Sequence, residues 1–487
     1  MSDRVIVRLA NPELDHLLEA AFARYPRRES GLLVRFGWRQ TASDLVLTLA
    51  NVEDPGDGDL DLSRPNVAFT EQFLVRTALL AERDSLAIGV VHSHPEGHIP
   101  HPSHIDDNMD SYLSSYFEGF APGRPYVSLI ASRVDGRTLM SARVKVDGRW
   151  LEASRFLTAE HSIVTWRHTP AGKSTLPTER VARLRSAFGD EAVQRLRDST
   201  VAVVGAGGTG SAVIEVLARA GVGKIVMIDP DRLEQSNLER VHGSRPAQAT
   251  SNDFKVNVAR EHVLTIDPSI EVITCIGRIP QAEVVDLLVS ADVAIGCTDS
   301  QHSRLALSDI AIRYLLPAID CGVLLEGAAG HVTGQIMQLV RFLPSDPCAS
   351  CRDMADPVRV TQEMMSDRER RNRQIAAAEA VGVGADGGQY WSQEPQLNTV
   401  GYLTTAAGAL AAGQTIGWLT GRFPPRLSRL QMNLSEPFFD VTEPTDEPRP
   451  SCACRSNRGW ADQGGADALI SPATHWPKVV VNGVSLP

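Results

Sequence analysis

The chain has 487 residues, of which 43% are hydrophobic and 22% are charged, as is typical of globular proteins. This length predicts two or three domains. Acidic residues outnumber basic ones by 59 to 48, and the net charge of −11 argues against a nucleic-acid partner, because phosphate binding requires clustered Lys and Arg. The most apolar run, from Thr404, contains Gln414 and several glycines, and the N-terminus has no cleavable signal pattern. We therefore expect a cytoplasmic protein without a membrane partner.

Residues 1–160 combine a helical pattern with several strand-like runs. The helical pattern is PELDHLLEAAFARY, and the strand-like runs are GLLVRFGW, DLVLTLANV, LAIGVVHSH, YVSLIAS and LMSARVKV. Strands with intervening helices predict a compact α/β or α+β domain over this range.

Histidines are concentrated in one loop of this domain, where five of the 13 fall between His92 and His104. His92 and His94 alternate at the end of an apolar strand, so both side chains project from one face. Asp106 lies beyond a Pro-rich turn and can complete a zinc site with an open position for water. Zinc lowers the pKa of its bound water and polarises an amide carbonyl. Glu29 is the candidate general base.

This arrangement resembles the JAMM (JAB/MPN-type) metallopeptidases, which cleave ubiquitin-like tails and isopeptide bonds. The residues that match the family pattern are Glu29, His92, His94, Pro95, Ser103 and Asp106. The resemblance implies a cytidine-deaminase-like α/β domain, in which Ser103 helps to bind the water or the oxyanion. A degenerate fold kept for binding is the alternative.

The loop of this motif departs slightly from the JAMM spacing. Eleven residues separate His94 from Asp106, one more than is usual in the family. We interpret the difference as a longer loop and expect Asp107 outside the ligand set. The remaining histidines are expected on the surface: His98, His101 and His104.

A polar stretch with turn residues predicts a linker over 161–179, and a second pattern begins at residue 180. Strands are predicted at 201–205 and 224–229, helices at 211–220 and near 253–264, and further strands near EVITC, DVAIGC and PAIDC. Alternating strands and helices predict a Rossmann-like, doubly wound parallel sheet over 180–460. Two further segments are predicted as irregular: a long loop with a helical part at 352–395 and a C-terminal tail at 461–487.

A glycine-rich loop follows the first of these strands. Gly205, Gly207 and Gly210 have GxGxxG spacing, with Gly208 between them, and they let the backbone approach phosphate at a helix N-terminus. Asp229 ends the next strand, where a carboxylate can bind ribose hydroxyls. This pattern alone is equally typical of an NAD- or FAD-binding unit.

The polar residues beyond Asp229 favour a triphosphate over a dinucleotide. Asn237, Arg240 and Lys255 supply donors that can hold phosphates and stabilise charge as pyrophosphate leaves. Asp299 follows a strand end, where a carboxylate can bind Mg²⁺ together with phosphate oxygens.

Four segments in order, GAGGTG, DPD…SNLER, a downstream Lys and CTDSxxSR, resemble the ThiF and ubiquitin-activating adenylation family over residues 180–455. The resemblance implies that Asp229 binds ribose and that Asp299 holds Mg²⁺. It also assigns contacts with the ATP phosphates to Asn237, Arg240 and Lys255.

The same resemblance implies a homodimer in which an arginine of the N-terminal helix reaches the partner's active site. Arg180 and Arg183, in ERVAR, occupy that position. Surface charges on an amphipathic helix are the alternative for both.

Four of the seven cysteines form two close pairs, Cys348-x-x-Cys351 and Cys452-x-Cys454. The odd total and these pairs indicate thiol or metal chemistry in a reducing cytosol. Two thiol pairs can bind structural zinc, and the ThiF-like family has a zinc knuckle here, usually with two Cys-x-x-Cys pairs. This chain departs at the second pair, and redox pairing or unligated thiols remain alternatives.

The other cysteines, Cys275, Cys297 and Cys321, lie at strand ends and are expected to be small core residues. Activating enzymes that form a thioester usually place its cysteine in the loop after the first zinc pair. Residues 352–450 contain no cysteine. We therefore predict adenylation without a stable thioester on this chain.

The two resemblances together predict a bifunctional enzyme of a bacterial-type ubiquitin-like modification pathway. One part would trim or deconjugate a ubiquitin-like protein, and the other would adenylate its C-terminal carboxylate with ATP and Mg²⁺. Two zinc ions are expected, one catalytic and one structural. Sulfur-carrier activation and a non-catalytic scaffold for the modifier are the alternatives. A conjugating enzyme or a sulfurtransferase is the expected partner.

Overall fold

The computed structural model describes residues 4–24, 26, 28–60, 67–158, 179–328, 330–384, 399–423, 428–435, 440–463 and 471–485. Of the predicted linker, only residue 179 lies within these ranges.

The described residues up to 158 form a closed seven-stranded barrel, in the order β1-β3-β2-β4-β5-β6-β7. Its strands are β1 Arg4–Leu9, β2 Gly31–Gln40, β3 Asp44–Glu53, β4 Ala87–Ser93, β5 Tyr126–Val134, β6 Arg137–Val146 and β7 Arg149–Thr158. Its helices are α1 Glu13–Ala21, α2 Glu71–Asp84 and α3 His104–Glu118. Helix α1 contacts β2 and β3, α2 contacts β4, and α3 contacts β5.

The described residues from 179 onward form a ten-stranded sheet, β15-β14-β13-β12-β11-β8-β9-β10-β16-β17. Strands β12, β11, β8, β9 and β10 are parallel, and the flanking strands pair antiparallel. The strands are β8 Thr200–Val204, β9 Lys224–Ile228, β10 Glu271–Ile276, β11 Val293–Gly296, β12 Ala318–Ala328, β13 His331–Phe342, β14 Arg429–Asn433, β15 Asp440–Thr442, β16 Val480–Val481 and β17 Val484–Ser485.

Helices connect the parallel strands and extend beyond them. They are α4 Ala182–Phe188, α5 Asp190–Asp198, α6 Gly208–Ala220, α7 Pro246–Thr250, α8 Lys255–Ile266, α9 Ala282–Val289, α10 Gln301–Arg313, α11 Pro357–Glu363, α12 Asp367–Gly382, α13 Gly401–Thr420 and α14 Ala453–Ser456, with a 3₁₀ turn at Gln235–Asn237. Among the described residues, no helix is long and apolar enough to cross a membrane. The apolar helix α13 lies against α6 inside the core.

The predicted Rossmann-like α/β sheet is therefore confirmed, and its predicted strands and helices lie within a few residues of the observed ones. Two predicted irregular segments contain regular structure. Helices α11 and α12 occupy much of the segment predicted as a loop. The segment predicted as a tail contributes β16 and β17, and β16 pairs with β10 through Cys275 and Ile276.

Three strands of the barrel, β1, β3 and β7, also contribute side chains to the hydrophobic core of the sheet. Along β1, Val5 and Val7 point into the barrel core, whereas Ile6 packs among the core residues of the sheet. Val46 and Leu157 join Ile6 there. This division follows from strand geometry, because successive side chains point to opposite faces.

Buried polar contacts reinforce this interface. The Arg8 side chain is fully buried and donates to the carbonyl oxygens of Leu315, Val289 and Ala291. Asp292 is also fully buried and accepts hydrogen bonds from the Arg155 guanidinium and from a backbone N–H of β8.

We expect Asp292→Ala to lower the free energy of unfolding by about 3–5 kcal/mol, because it leaves the Arg155 charge buried without its partner. The measurement is urea unfolding followed by circular dichroism. As a matched control, Asp190→Ala removes an exposed ion pair with Arg185 and should cost less than about 1 kcal/mol. Equal effects of the two substitutions would contradict a buried ion pair at the interface.

Candidate functional site

A cavity of about 540 Å³ opens at the carboxyl ends of β8 and β11, where the strand order reverses. Such a switch point is where ligands bind in open α/β sheets. Of the predicted nucleotide-site residues, all but Gly210 line this cavity: Gly205, Gly207, Gly208, Asp229, Asn237, Arg240, Lys255 and Asp299.

The glycine loop requires its missing side chains for close packing. Gly205 has φ +99°, and a Cβ there would lie 2.7 Å from the carbonyl oxygen of Cys297. At Gly210 a Cβ would lie 1.8 Å from the carbonyl oxygen of Gly205. Gly210 therefore lets α6 pack against the loop, and the α6 N-terminus favours an anionic ligand at the cavity.

The Asp229 side chain is hydrogen-bonded to the backbone of the glycine loop. One carboxylate oxygen accepts a hydrogen bond from the Ala206 N–H at 2.6 Å, and the other accepts one from the Asp231 N–H at 2.8 Å. Burial raises the pKa of Asp229, and the nearby Lys255 opposes that shift. A role for Asp229 in binding ribose remains a prediction.

Polar groups beyond Asp229 surround the cavity as the sequence predicts. The Lys255 ammonium lies 3.1 Å from a carboxylate oxygen of Asp231. The Arg240 guanidinium donates to a carbonyl oxygen in the 3₁₀ turn at 3.1 Å, and the buried Asn237 side chain accepts from the Glu234 N–H. Asp299 is exposed at the cavity. This arrangement combines cations for phosphates with a carboxylate that can hold a divalent ion.

The sequence did not single out three further arginines that line this cavity: Arg278, Arg304 and Arg359. Arg304 lies in the CTDSxxSR segment, and its Nε is 2.7 Å from a carboxylate oxygen of the buried Asp320. Arg359 lies on α11, in the segment predicted as a loop, where no motif distinguishes it from the neighbouring charged residues.

In the barrel, β4 and α3 bring together His92, His94 and Asp106, all of them buried. The Nε2 atoms of His92 and His94 lie 3.0 Å and 3.4 Å from the two carboxylate oxygens of Asp106. A capping box places Asp106 in the first turn of α3: its carboxylate accepts from the Ser103 N–H at 2.6 Å, and its own N–H donates to the Ser103 hydroxyl. Ser103 thus positions Asp106. That Ser103 also helps to bind the water or the oxyanion remains a prediction.

Glu29 is tied to the end of β4 through the next residue. The Ser93 N–H donates to the carbonyl oxygen of Ser30 at 3.0 Å, and the Ser30 N–H donates to the Ser93 hydroxyl. Burial raises the pKa of Glu29, and the imidazoles of His92 and His94 oppose that shift. A carboxyl group with a raised pKa is suited to exchange protons near neutrality.

Two observations indicate that His92, His94 and Asp106 are suited to bind a metal ion. The three ligand atoms of His92, His94 and Asp106 lie within 4.8 Å of one another. Among the described residues, neither ring nitrogen of the buried His92 makes a hydrogen bond, and its Nε2 faces the Asp106 carboxylate at 3.0 Å without hydrogen-bond geometry. A cation held between the two groups would satisfy both. Asp107 instead pairs with Arg143. The three other loop histidines are exposed, as expected: His98, His101 and His104.

The two cysteine pairs also meet in one cluster. Cys348 and Cys452 have their sulfur atoms 3.6 Å apart, and Cys351 and Cys454 have theirs 3.8 Å apart. A tetrahedral ion with Zn–S bonds of about 2.3 Å requires sulfurs about 3.8 Å apart, so the cluster fits zinc. Hydrogen bonding with the Cys454 thiol lowers the pKa of Cys348 to about 5, which favours the thiolate that binds metal.

The three remaining cysteines are buried or half-buried. Burial raises the pKa of Cys275 to about 12 and raises the pKa of Cys297 and Cys321 well above that of a free thiol. Cys297 and Cys321 line the cavity, yet a protonated thiol is a poor nucleophile. These environments agree with core residues rather than with a thioester-forming cysteine.

The two arginines predicted to reach a partner differ in their surroundings. The Arg180 guanidinium pairs with Asp267 and donates to the Ala218 carbonyl oxygen of the same chain. Arg183 is exposed. Contact of either arginine with a partner remains a prediction.

Residues 180–455, more than half of the chain, match the ThiF family. The chain belongs to this family. Over 159 residues it is 31% identical to the adenylyltransferase and sulfurtransferase UBA4 of Saccharomyces cerevisiae (strain YJM789), covering 32% of this chain and 34% of that one. Over 164 residues it is 32% identical to the molybdopterin-synthase adenylyltransferase of Escherichia coli (strain K12), covering 34% and 62%.

A third relative is the SAMP-activating enzyme E1 of Haloferax volcanii, with 33% identity over 165 residues that cover 34% of this chain and 56% of that one. Among solved structures, E. coli MccB with ATP is similar to the ThiF chain with a TM-score of 0.41 and 18% identity, covering 57% and 74%. The chain thus spans from 34% to 62% of the length of these three curated relatives.

Metal analysis tests both clusters. We expect two zinc ions per purified chain by inductively coupled plasma mass spectrometry, because each cluster provides the ligands of one ion. His94→Ala and Cys454→Ser should each leave one zinc ion. The control His98→Ala changes an exposed histidine of the same loop and should keep both. If His94→Ala leaves the zinc content unchanged, the barrel cluster does not bind the ion.

Proposed function

We propose that the ThiF domain adenylates the C-terminal carboxylate of a ubiquitin-like protein, and that the barrel is a JAMM-type metallopeptidase that acts on the same modifier. The observation that carries the first part is the cavity in which Lys255, Arg240 and Asp299 converge beside the glycine loop. The names of the relatives, which include adenylyltransferases and an E1, support it. Because the paired cysteines form a candidate metal cluster rather than disulfides, we assign this activity to a reducing compartment, the cytoplasm.

The adenylation step needs charge stabilisation rather than covalent catalysis by the protein. A carboxylate oxygen of the modifier attacks the α-phosphorus of ATP, and a new P–O bond forms. The bond from the α-phosphorus to the bridging oxygen breaks, and its electron pair leaves with pyrophosphate. Lys255 and Arg240 would stabilise the negative charge that develops on the phosphates. Asp299 would hold Mg²⁺, which neutralises the triphosphate when it is bound.

The barrel residues support hydrolysis of an amide bond that joins the modifier tail to another group. His92, His94 and Asp106 would hold zinc, which supplies Lewis-acid chemistry and an acidified water when it is bound. Glu29 would accept the proton of the attacking water and return it to the leaving amine. Its burial and raised pKa are consistent with both roles.

A second candidate function is activation of a sulfur carrier, in which the acyl-adenylate is converted to a thiocarboxylate. The absence of cysteine from residues 352–450 and the protonated thiols of Cys297 and Cys321 favour transfer to an external acceptor. Two relatives have names that refer to sulfur transfer or molybdopterin synthesis. Mass spectrometry of the modifier, incubated with ATP and either a sulfurtransferase or a conjugating enzyme, distinguishes the two outcomes.

Replacement of Lys255 tests the adenylation site. We expect Lys255→Ala to slow ATP–pyrophosphate exchange roughly 100- to 1,000-fold, because a donor to the developing phosphate charge is lost. Exchange is measured with ubiquitin-like proteins that end in a free carboxylate. Lys224→Ala removes a lysine that pairs with Glu271 at the start of β9 and should leave the rate unchanged. If the wild-type chain exchanges with none of these proteins, the proposed adenylation is wrong.

Replacement of Glu29 tests the peptidase. Glu29→Gln should retain both zinc ions but slow cleavage of a modifier–fluorophore amide about 100- to 10,000-fold, because the general base is lost. Glu96→Gln alters an exposed carboxylate in the neighbouring loop and serves as the control. Unchanged cleavage by Glu29→Gln would remove Glu29 from the mechanism. ATP–pyrophosphate exchange should be normal in both variants, since the substitutions lie in the barrel.

A further inference from the structure

Both ends of helix α11 are hydrogen-bonded to the start of α10. The start of α10 follows Asp299 in the chain. At its start, the Asp356 N–H donates to the side-chain oxygen of Gln301 at 2.6 Å. At its end, the Glu363 carboxylate accepts from the Ser300 hydroxyl at 2.7 Å and from two backbone N–H groups, those of Gln301 and His302, at 3.0 Å and 2.8 Å. We call this pair of attachments the α10–α11 clasp.

The clasp places one arginine in the cavity. Arg359 lies between the two attachments and lines the cavity beside Asp299. Its Nη2 is 3.4 Å from the Asp299 carbonyl oxygen, and its Nε is 3.4 Å from the Glu363 carboxylate. Both distances are long for hydrogen bonds of a guanidinium, which has five N–H donors.

The charge of Arg359 is only partly compensated by Glu363. That carboxylate already accepts three hydrogen bonds at the α10 N-terminus. Among the described residues, the Nε of Arg359 is buried and has no hydrogen-bond partner. Its terminal Nη groups make one long contact among the described residues, to the Asp299 carbonyl oxygen, and so keep donors for an anion in the cavity. Their planar arrangement suits the two oxygens of a carboxylate or a phosphate.

The start of the clasp is also anchored to the rest of the domain. Arg352 follows the first cysteine pair, is almost fully buried, and donates to the carbonyl oxygens of Pro347 and Ser428 at 2.8 Å and 2.9 Å. Only four residues separate Arg352 from α11. The position of Arg359 is thus fixed by neighbours on both sides rather than by an exposed loop.

We infer that Arg359 is a further anion-binding residue of the adenylation site, and that the α10–α11 clasp delivers it to the reacting oxyanions beside Asp299. The inference rests on the proposed adenylation. Its ligand is an oxyanion from one of two sources, a phosphate of ATP or the attacking carboxylate of the modifier. In either case the guanidinium binds without forming a covalent bond.

The test compares Arg359→Ala, Arg359→Lys and the control Arg373→Ala, which alters an exposed arginine of α12. Affinity for ATP with Mg²⁺ is measured by calorimetry on the full-length, zinc-loaded chain. The KM for a ubiquitin-like protein is measured by ATP–pyrophosphate exchange. Loss of a charged hydrogen bond should change one of these quantities by about 10- to 100-fold in Arg359→Ala. Arg359→Lys should recover part of that loss, because it retains the charge but not the fork.

Weaker ATP binding identifies a phosphate as the ligand, whereas a raised KM for the modifier with normal ATP binding identifies the carboxylate. If Arg359→Ala matches the wild type in both measurements, the inference is wrong, although the proposed function stands. If the wild-type chain neither binds ATP nor exchanges pyrophosphate, the proposed function itself fails. Zinc content and circular dichroism of each variant show that it is folded.

Discussion

The burial of the Arg8 guanidinium between the barrel and the sheet is the constraint on which the arrangement of this molecule depends. A charged group that is removed from water is costly unless its donors are satisfied. Carbonyl oxygens of Leu315, Val289 and Ala291 accept hydrogen bonds from the two Nη groups of Arg8. These carbonyls lie at the ends of α9 and α10 or just beyond them, not in the barrel. These hydrogen bonds favour the observed orientation of the barrel against the sheet, and Ile6 and its apolar neighbours pack in the interface between the two.

This orientation determines how the two candidate sites relate. Side chains of β1, β3 and β7 join the core of the sheet. Strand β4, which carries His92, lies three strands from β1 in one direction around the barrel and four in the other. The nucleotide cavity lies at the carboxyl ends of β8 and β11. Under the proposed function, joining the two sites in one chain raises the local concentration of the modifier at each of them.

Sequence patterns predicted the parts of the fold in which local and tertiary signals agree. The strands β8 and β9, the helices α6 and α8, and the strands β2 to β6 were predictable because their apolar periodicity matches their burial. Strand β1 was missed because it is buried on both faces and contains Arg8, which interrupts the apolar run. Motif spacing predicted that His92, His94 and Asp106 lie close together, as they do in the structure, whereas their role as metal ligands remains a prediction. Arg359 was not predictable, because its position depends on the attachment of α11 to a helix more than fifty residues earlier in the chain.

The shared core also changes what the connection between the two halves has to do. Buried apolar side chains and the Arg155–Asp292 pair hold the barrel to the ThiF domain independently of the peptide that joins residues 158 and 179. Proteolysis of that connection would yield two fragments that stay together through purification. By the same physics, the two halves could be encoded by separate genes and still assemble into this particle.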